Sequence, residues 1–218
     1  MSKNFLGIIP ARMGSTRLPN KNNLKIGKTS LAEIAMLSAL KSKMLNKIVL
    51  SSNDKSVLKT ASKFSEIKCI KRPNNLANSK SKLTDVCKHV IRNVNKNFDY
   101  CVLLQVTSPL RTYKHIDEAI KKLLKSRATS LISVSLTDNN NKNYYYIKNK
   151  RIYRLHDNEK IKSKKFQFNG AIFIVKIDHL KKKNSFFING KTLPFIMSKK
   201  VSIDIDYLYD LNKARILK

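Results

Sequence analysis

The sequence predicts an α/β fold of three layers, in which helices cover both faces of a mostly parallel β-sheet. Short apolar runs alternate along the chain with segments whose apolar residues recur every three or four positions, as in proteins built on parallel sheets. Polar or acidic loops follow several of the apolar runs, and ligands of such sheets bind beyond the carboxyl ends of the strands. The length of 218 residues suits one domain. We therefore treat residues 1–218 as a single domain that carries an inserted arm at about 137–166.

The first half of the chain has the clearest pattern. Residues 4–9 form a short apolar run before a turn-rich loop, which predicts a buried strand. A helix is predicted to follow Ser30, because Ser30 suits the N-cap and Glu33 stands three residues later, as in a capping box. The other elements predicted here are strands at 47–52 and 67–70 and helices at 56–64 and 83–95.

The second half continues this alternation as far as residue 137. Strands are predicted at 99–105 and 130–136, with a helix at 115–125 between them. The stretch from 137 to about 166 is polar and rich in Tyr and has no strong helical pattern, which predicts a β-rich inserted arm. A core strand at 169–176, a short strand at 193–197, and a strand or turn before a last helix complete the prediction.

The chain is strongly basic, with 45 Lys and Arg against 14 Asp and Glu and a formal net charge of +31. Net charge bears on solubility and non-specific binding rather than on a particular site. Because the basic residues are spread from end to end, we expect no specific nucleic-acid partner, although an anionic substrate is compatible with this charge.

No apolar stretch approaches the roughly 18–20 residues that span a bilayer. The first residues lack the long apolar stretch of a signal peptide, so we expect a cytoplasmic protein without a membrane partner. Cys69, Cys87 and Cys101 are widely spaced and odd in number, which predicts buried free thiols rather than disulfides or a zinc site.

The loop after the first strand reads PARMGSTRLPNKN at residues 10–22. Backbone amides, a glycine and several cations can together hold a triphosphate, and Arg12, Gly14, Ser15, Arg17 and Lys21 supply these groups. The spacing is not that of a P-loop. From spacing alone, a phosphate site and a solvated basic turn are about equally plausible.

Two more strand ends carry polar groups. The segment SSND at 51–54 can meet a nucleotide, but Asn53 or Asp54 suits the N-cap of the next helix, and we favour the cap. The segment LLQVTSPLRT at 103–112 ends a strand with Gln105, which can hydrogen-bond a sugar or a base. Arg111 in the same segment can hold an anion or brace the turn.

The segment SIDID at 202–206 places two carboxylates, Asp204 and Asp206, two residues apart. In an extended segment such residues face the same way, and Mg²⁺ commonly takes one or two carboxylates together with phosphate oxygens and water. Asp206 also suits the N-cap of the last helix. Both roles can hold at once, with Asp204 as the stronger candidate ligand. The four histidines are scattered, and no Ser/His/Asp constellation is apparent.

Six motifs, in their order along the chain, resemble those of the acylneuraminate cytidylyltransferases. They are PARMGSTRLPNKN, KRPNNLA, LLQVTSPLRT, NGAIFI, SFFINGKT and SIDID, and the resemblance extends over about residues 5–217. It implies a Rossmann-like fold of the nucleotide-diphospho-sugar transferase type and a homodimer in which the arm reaches the partner's sugar site. It also implies Mg²⁺ and a reaction in which the anomeric hydroxyl of a nonulosonic (sialic-type) acid attacks the α-phosphate of CTP, giving CMP-sugar and pyrophosphate.

The resemblance assigns roles to the residues that match these motifs. The nucleotide would be bound by Ala11, Arg12, Gly14, Ser15, Arg17, Lys21, Asn22, Ser52 and Arg72. The sugar would meet Gln105, Phe173, Phe186 and Phe187, with Lys142 and Lys160 as further candidates. Asp204 and Asp206 would hold the metal, and we expect Arg12, Lys21 and Asp204 to contribute most to catalysis.

The chain departs from the family pattern at two places. A lysine usually follows Gly-Ser in the first loop, whereas this chain reads Gly14-Ser15-Thr16-Arg17, so we expect Arg17 to make the phosphate contact. An Arg-Arg-Gln run that helps to bind the sugar carboxylate is often found before NGAI, but this chain has Asn-Glu-Lys at 158–160. Lys160 or Lys162 would replace that run without offering a bidentate fork.

Two alternatives remain open at this point. A Kdo-type or other sugar nucleotidyltransferase would share the fold, although the Kdo branch would be expected to carry an acidic residue soon after Gln105, where this chain reads VTSP. A non-catalytic basic protein of the same fold could bind nucleic acid through its charge, but the presence of Lys21, Gln105, Asp204 and Asp206 argues against it.

Overall fold

The computed structural model describes residues 3–137, 144–155 and 163–218. Its strands are β1 (Phe5–Ala11), β2 (Lys25–Ile26), β3 (Thr29–Ser30), β4 (Lys47–Ser52), β5 (Ile67–Lys71), β6 (Tyr100–Leu103), β7 (Ser130–Leu136), β8 (Tyr144–Lys148), β9 (Arg151–Leu155), β10 (Phe166–Lys176) and β11 (Leu193–Ile196). Its α-helices are α1 (Leu31–Leu40), α2 (Lys55–Ala61), α3 (Leu83–Arg92), α4 (Tyr113–Ser126), α5 (Ile177–Lys183) and α6 (Leu208–Leu217).

One large sheet organises the fold, with its main strands in the order β11-β7-β10-β6-β1-β4-β5. Every neighbouring pair in this row is parallel except those made by β10, which runs antiparallel to both β6 and β7. The hairpin β8–β9 joins the sheet through a pairing of β8 with β10. The predicted mostly parallel α/β fold is therefore confirmed.

Two apolar cores lie on opposite faces of this sheet. One is formed with buried residues of α1, α2, α4 and α6, and the other with residues of α3 and α5. The alternation of strand side chains explains this division, because Ile9 and Val102 enter the first core while their neighbours Ile8 and Cys101 enter the second. The sheet is thus covered on both faces, which gives the three layers.

Local signals fix where the first helices begin. The Ser30 hydroxyl accepts a hydrogen bond from the Glu33 amide at 3.2 Å, as the predicted cap requires. The Asp54 carboxylate caps α2 and accepts from the Ser56 amide at 3.0 Å. The predicted N-caps of both helices are therefore confirmed, with Asp54 rather than Asn53 at the second.

Some expectations need correction. The short helix α5, rich in lysine, was not predicted, and α6 begins after Tyr207 instead of being capped by Asp206. The carboxylate of Asp210 accepts from the amides of Asp206 and Tyr207 at 3.0 and 2.9 Å, so it caps this end. All three cysteines are free, as predicted, but Cys69 is exposed.

The hairpin β8–β9 lies within the predicted arm, and β10 begins at its end. Lys142, Lys160 and Lys162 fall outside the described residues, as does the departure at 158–160. Across the part of the chain that the structure describes, no helix is long and apolar enough to cross a membrane.

Candidate active site

The loop after β1 is held by hydrogen bonds from its own side chains and from a side chain that follows β4. The Asn22 side-chain amide donates to the Arg12 backbone carbonyl at 2.8 Å, and the Arg12 guanidinium donates to the Gly14 carbonyl at 2.8 Å. Asn53, after β4, accepts from the Met13 amide at 2.8 Å. Gly14 has φ +82°, a left-handed conformation that a residue with a Cβ adopts at a cost. The loop therefore has a defined path beyond the carboxyl end of the sheet.

This loop forms one wall of a cavity of about 210 Å³. Eight residues that the sequence analysis assigned to the site line this cavity: Arg12, Ser15, Arg17, Lys21, Asn22, Arg72, Gln105 and Asp206. The structure thus brings five side chains of the first loop together with Arg72, Gln105 and Asp206, which lie far from it in sequence. Sequence reasoning missed other members of the wall, namely Pro10, Thr16, Ser81, Leu83, Val86, Val106 and Thr107. Of these, Leu83 and Val86 belong to α3, whose predicted helical pattern gave no sign that it borders a site.

Three of the residues assigned to the nucleotide do not line this cavity. Ser52 is fully buried, and its hydroxyl donates to the Ala11 carbonyl at 2.6 Å and accepts from the Asp54 amide at 3.0 Å. Ser52 and Ala11 therefore support the loop from beneath. Gly14 lines an adjoining cavity of about 220 Å³ together with Asn20.

Two buried arginines hold backbone groups around the site. Arg72 donates to the Ser51 carbonyl at 2.7 Å, and burial, aided by the like charge of Arg12, lowers the pKa of Arg72 to about 10. Arg111 donates to the carbonyls of Gln105 and Ala171 at 2.9 and 3.0 Å, and burial lowers the pKa of Arg111 to about 9. Both side chains remain cationic at neutral pH. Arg111 thus braces the turn, which decides between its two predicted roles.

Asp206 lies between two cations. Lys21 Nζ is 2.9 Å from Asp206 Oδ1 and also donates to the Ile205 carbonyl at 2.6 Å. Arg17 Nη1 is 2.9 Å from Asp206 Oδ2, and its guanidinium carbon lies 5.5 Å from the centre of the Tyr207 ring. The Tyr207 hydroxyl and then the Asp206 carboxylate raise the pKa of Arg17. The first loop is therefore tied directly to the SIDID segment.

Asp204 lines a neighbouring cavity of about 460 Å³ rather than the one beside Asp206. Residues 202–206 do not form a regular strand, but burial still alternates along them: Ile203 and Ile205 are buried, whereas Asp204 and Asp206 both lie on the accessible side. Although Asp204 is exposed to solvent in its cavity, the surrounding protein desolvates it and raises its pKa, and the charge of Asp206 adds to the shift. The Thr107 hydroxyl and Lys21 oppose that shift.

Gly170 explains how Asp204 and Gln105 come together. Its φ is +74°, and a Cβ built on it would lie 3.3 Å from Asp204 Oδ2 and 3.4 Å from Gln105 Nε2. Within residues 3–137, 144–155 and 163–218, no three metal-ligating side chains converge.

The predicted aromatic side chains belong to a larger group, called here the aromatic cluster: Tyr145, Phe168, Phe173, Phe186 and Phe187. The ring centres of Tyr145 and Phe168 are 3.9 Å apart, and the Phe187 ring lies edge-on to both, at 5.3 and 5.6 Å. Phe173 is 5.5 Å from Phe186. Sequence reasoning missed Tyr145 and Phe168, although the alternating FQF before NGAI was a signal available for Phe168.

The fold and the cavity define the chain as an α/β protein with a cavity rich in basic side chains at the carboxyl edge of its sheet. A solved structure of CMP:2-keto-3-deoxy-manno-octonic acid synthetase complexed with CTP has the same fold, with a TM-score of 0.79, 16% identity, and coverage of 99% of this chain and 98% of that one. A cytidylyltransferase from Leptospira borgpetersenii superposes with a TM-score of 0.64 at 18% identity, over 98% of this chain and 86% of that one. The cytidylyltransferase family model matches residues 6–182, and the chain belongs to that family.

Curated relatives are similar along most of the chain. N-acylneuraminate cytidylyltransferase of Escherichia coli O18:K1:H7 is 29% identical over 98% of this chain, but this chain spans only 52% of that protein's length. Pseudaminic acid cytidylyltransferase of Campylobacter jejuni serotype O:2 is 25% identical over 97% of this chain and 95% of its own length. CMP-N,N'-diacetyllegionaminic acid synthase of Legionella pneumophila is 33% identical over 60% of this chain and 57% of its own length.

Proposed function

We propose that the chain activates a nonulosonic acid with CTP, forming CMP-sugar and pyrophosphate. The observation that carries this proposal is the cavity in which Arg12, Arg17, Lys21 and Arg72 surround one space together with Asn22 and Gln105. Four cations around one cavity suit a triphosphate, and the named relatives act on acidic sugars of this class. The family membership supports the same reaction.

In this proposal the chain's own residues contribute position and charge rather than a covalent intermediate. The cations neutralise the triphosphate, and the anchored loop aligns the α-phosphate with the attacking hydroxyl. The bond from the hydroxyl oxygen to the α-phosphorus forms as the bond from that phosphorus to the bridging oxygen breaks. Pyrophosphate leaves with the electron pair of the broken bond, and the hydroxyl proton passes to water. Arg12 and Lys21 stay close to this charge throughout.

Two carboxylates, Asp204 and Asp206, fit a role in holding Mg²⁺. The ion would supply additional neutralisation of the phosphate oxygens when it is bound. Asp204 is accessible from its cavity and is already disfavoured as a charged group, as the raised pKa shows. A cation beside it would remove that penalty.

The sugar end of the site is proposed to lie between Gln105 and the aromatic cluster. The rings of Phe173 and Phe187 are half-buried, which leaves apolar surface for an acyl group of the sugar. The arm that contains β8 and β9 is proposed to contact a second copy of the chain in a homodimer. We place the reaction in the cytoplasm, where CTP is available.

The test is release of pyrophosphate from CTP and Mg²⁺ with N-acetylneuraminic, legionaminic, pseudaminic and Kdo acids, each with and without EDTA. Metal-dependent turnover of a nine-carbon acid supports the proposal and identifies the sugar. Turnover of Kdo alone would assign the chain to the Kdo branch instead. Salt-sensitive nucleic-acid binding without any turnover would support the non-catalytic alternative.

A further inference from the structure

Both oxygens of the Asp206 carboxylate are occupied by cations of the first loop. Lys21 Nζ lies 2.9 Å from Oδ1, and Arg17 Nη1 lies 2.9 Å from Oδ2. A divalent ion bound to Asp206 needs at least one of these oxygens. Each ion pair takes up part of the acceptor capacity of its oxygen and places a positive charge beside it, so both cations compete with such an ion for Asp206.

The two cations are not equally free to leave. The Lys21 side chain is 9% exposed and has a second partner, the Ile205 carbonyl, at 2.6 Å. The Arg17 side chain is 54% exposed and is held by Asp206 and by the ring of Tyr207, 5.5 Å from its guanidinium carbon. An exposed ion pair and an exposed cation–π contact are both weak. Arg17 is thus the cation that can exchange.

We propose that Arg17 occupies the metal-binding oxygen of Asp206 while the site has no nucleotide, and that Tyr207 is a positioning residue that keeps it there. This inference rests on the proposed function for the identity of the nucleotide. When a triphosphate enters the cavity, its negative charge draws Arg17 away from Asp206. The freed oxygen then accepts the divalent ion, so that metal and nucleotide bind together rather than metal first.

The arrangement has a thermodynamic consequence that can be measured. Because Arg17 competes with the ion for Asp206, the protein without nucleotide binds a divalent cation weakly. Moving Arg17 onto the triphosphate removes that competition, so each ligand raises the affinity for the other by the same factor. Without Arg17, the metal affinity of the nucleotide-free protein rises.

The experiment measures Mn²⁺ binding to the protein without nucleotide, from the electron paramagnetic resonance signal of free Mn²⁺. We expect Arg17→Ala to tighten binding by about threefold to fivefold, in keeping with the small free energy of an exposed ion pair. We expect Tyr207→Leu to tighten it by about twofold, since it loosens Arg17 without removing a charge. Tyr209→Leu is the matched control, because Tyr209 lies two residues further along the chain, in the first turn of α6, and is 73% exposed.

A second control separates competition from a general change of charge. Arg12→Ala removes one positive charge from the same cavity, but Arg12 donates to the Gly14 carbonyl rather than to Asp206. A gain in Mn²⁺ affinity for Arg17→Ala no larger than for Arg12→Ala would overturn the inference, as would equal effects of Tyr207→Leu and Tyr209→Leu. In an Asp206→Asn background, Arg17→Ala should have no further effect, and a persisting gain would count against it.

Thermal unfolding of each variant, all of them changed at exposed or half-buried positions, verifies that it is folded. The readout is independent of turnover. A wild-type protein that releases no pyrophosphate with any sugar of the panel would contradict the proposed function, whereas the Mn²⁺ comparison decides the role of Arg17 by itself.

Discussion

The two halves of the candidate site are built in different ways. Beyond β1 and β4, polar side chains are tied to the backbone, as when Ser52 donates to the Ala11 carbonyl and Asn22 to that of Arg12. Beside β10 and β8, by contrast, aromatic rings pack against one another, with Tyr145 and Phe168 3.9 Å apart. Directed hydrogen bonds specify one arrangement, whereas packed rings specify a shape that other apolar side chains could also fill. The first half suits a ligand that does not vary, and the second suits one that differs among relatives.

Between these halves lies Asp204, where we expect the largest effect of any single substitution. Asp204→Asn should lower turnover by about a hundredfold or more, since it removes a proposed ligand of the Mg²⁺ that would neutralise the triphosphate. Steady-state pyrophosphate release measures this. A variant with near-normal turnover at limiting Mg²⁺ would contradict the role of Asp204.

The same variant tests the pKa of Asp204, with a definite sign. Because desolvation raises that pKa, the charged carboxylate destabilises the folded state, and the stability present below the ordinary carboxyl pKa is lost as the pH rises through the raised value. Asp204→Asn should therefore unfold at the same temperature as the wild type or slightly higher at pH 7.5. The difference should vanish near pH 4. A lower unfolding temperature at pH 7.5 would show that the carboxylate stabilises the fold instead.

The two cations paired with Asp206 should differ in their effect on stability but not in the direction of their effect on the use of CTP. Lys21→Met removes a buried donor with two partners and should cost about 1–3 kcal/mol in the free energy of unfolding. Arg17→Ala removes an exposed donor and should cost about 0–1 kcal/mol in the free energy of unfolding. Both should raise the KM for CTP more than that for the sugar. Urea unfolding together with kinetics in CTP measures both effects, and an unchanged dependence on CTP for Arg17→Ala would make Arg17 an ordinary solvated residue.

The sequence was sufficient for the features that depend on neighbouring residues. Ser30 and Asp54 were predicted as caps because capping involves residues two or three positions apart, and the buried strands follow from apolar runs. The direction of β10 could not be predicted, because it depends on where distant strands pair. Alternation along the chain predicted that Asp204 and Asp206 share a side, but it could not show that they line different cavities, because distant segments form the cavity walls.

The candidate site was likewise predictable only where its residues are close together in the sequence. Residues of one motif, such as Arg12 and Lys21, were easily grouped, and the structure places them in one cavity with Arg72 and Gln105. Tyr207 gave no signal, since its contact with Arg17 crosses about 190 residues of sequence. Tyr145 was overlooked for a similar reason, because a Tyr-rich segment does not indicate which rings meet a distant Phe187.

Gly170 lies where the two halves of the candidate site meet. Its substitution should lower activity by more than the accompanying loss of stability accounts for. Gly170→Ala places a Cβ 3.3 Å from Asp204 Oδ2, so that carboxylate must shift by a few tenths of an ångström, and 3.4 Å from Gln105 Nε2, which becomes a direct contact. We expect turnover to fall by about tenfold, since misplacement by less than an ångström already matters for catalysis. Gly27→Ala is the matched control, because Gly27 also has a positive φ, +60°, but no atom within 4 Å of the added Cβ.

Both glycine variants should lose about 1–2 kcal/mol of stability from the left-handed backbone conformation. Chemical unfolding measures this loss of stability, and pyrophosphate release measures the loss of activity. Equal losses of activity in the two variants would mean that backbone strain alone, and not the contact with Asp204 and Gln105, accounts for the effect of Gly170→Ala.

The smallest expected effect lies in the aromatic cluster and tests whether its shape selects the sugar. Phe187→Ala should raise the KM for the sugar acid by about threefold to tenfold and leave the KM for CTP unchanged, because the ring is half-buried and packs on Tyr145 and Phe168 rather than on the first loop. Phe98→Ala is the matched control, since Phe98 packs on the same core but precedes β6, at the opposite end of that strand from Gln105. Both variants lose part of a ring's packing, so a general loosening of the core would raise the sugar KM in both. A change confined to Phe187→Ala would instead show that the packed half of the site recognises the sugar by shape, independently of the hydrogen-bonded half that is proposed to hold the nucleotide.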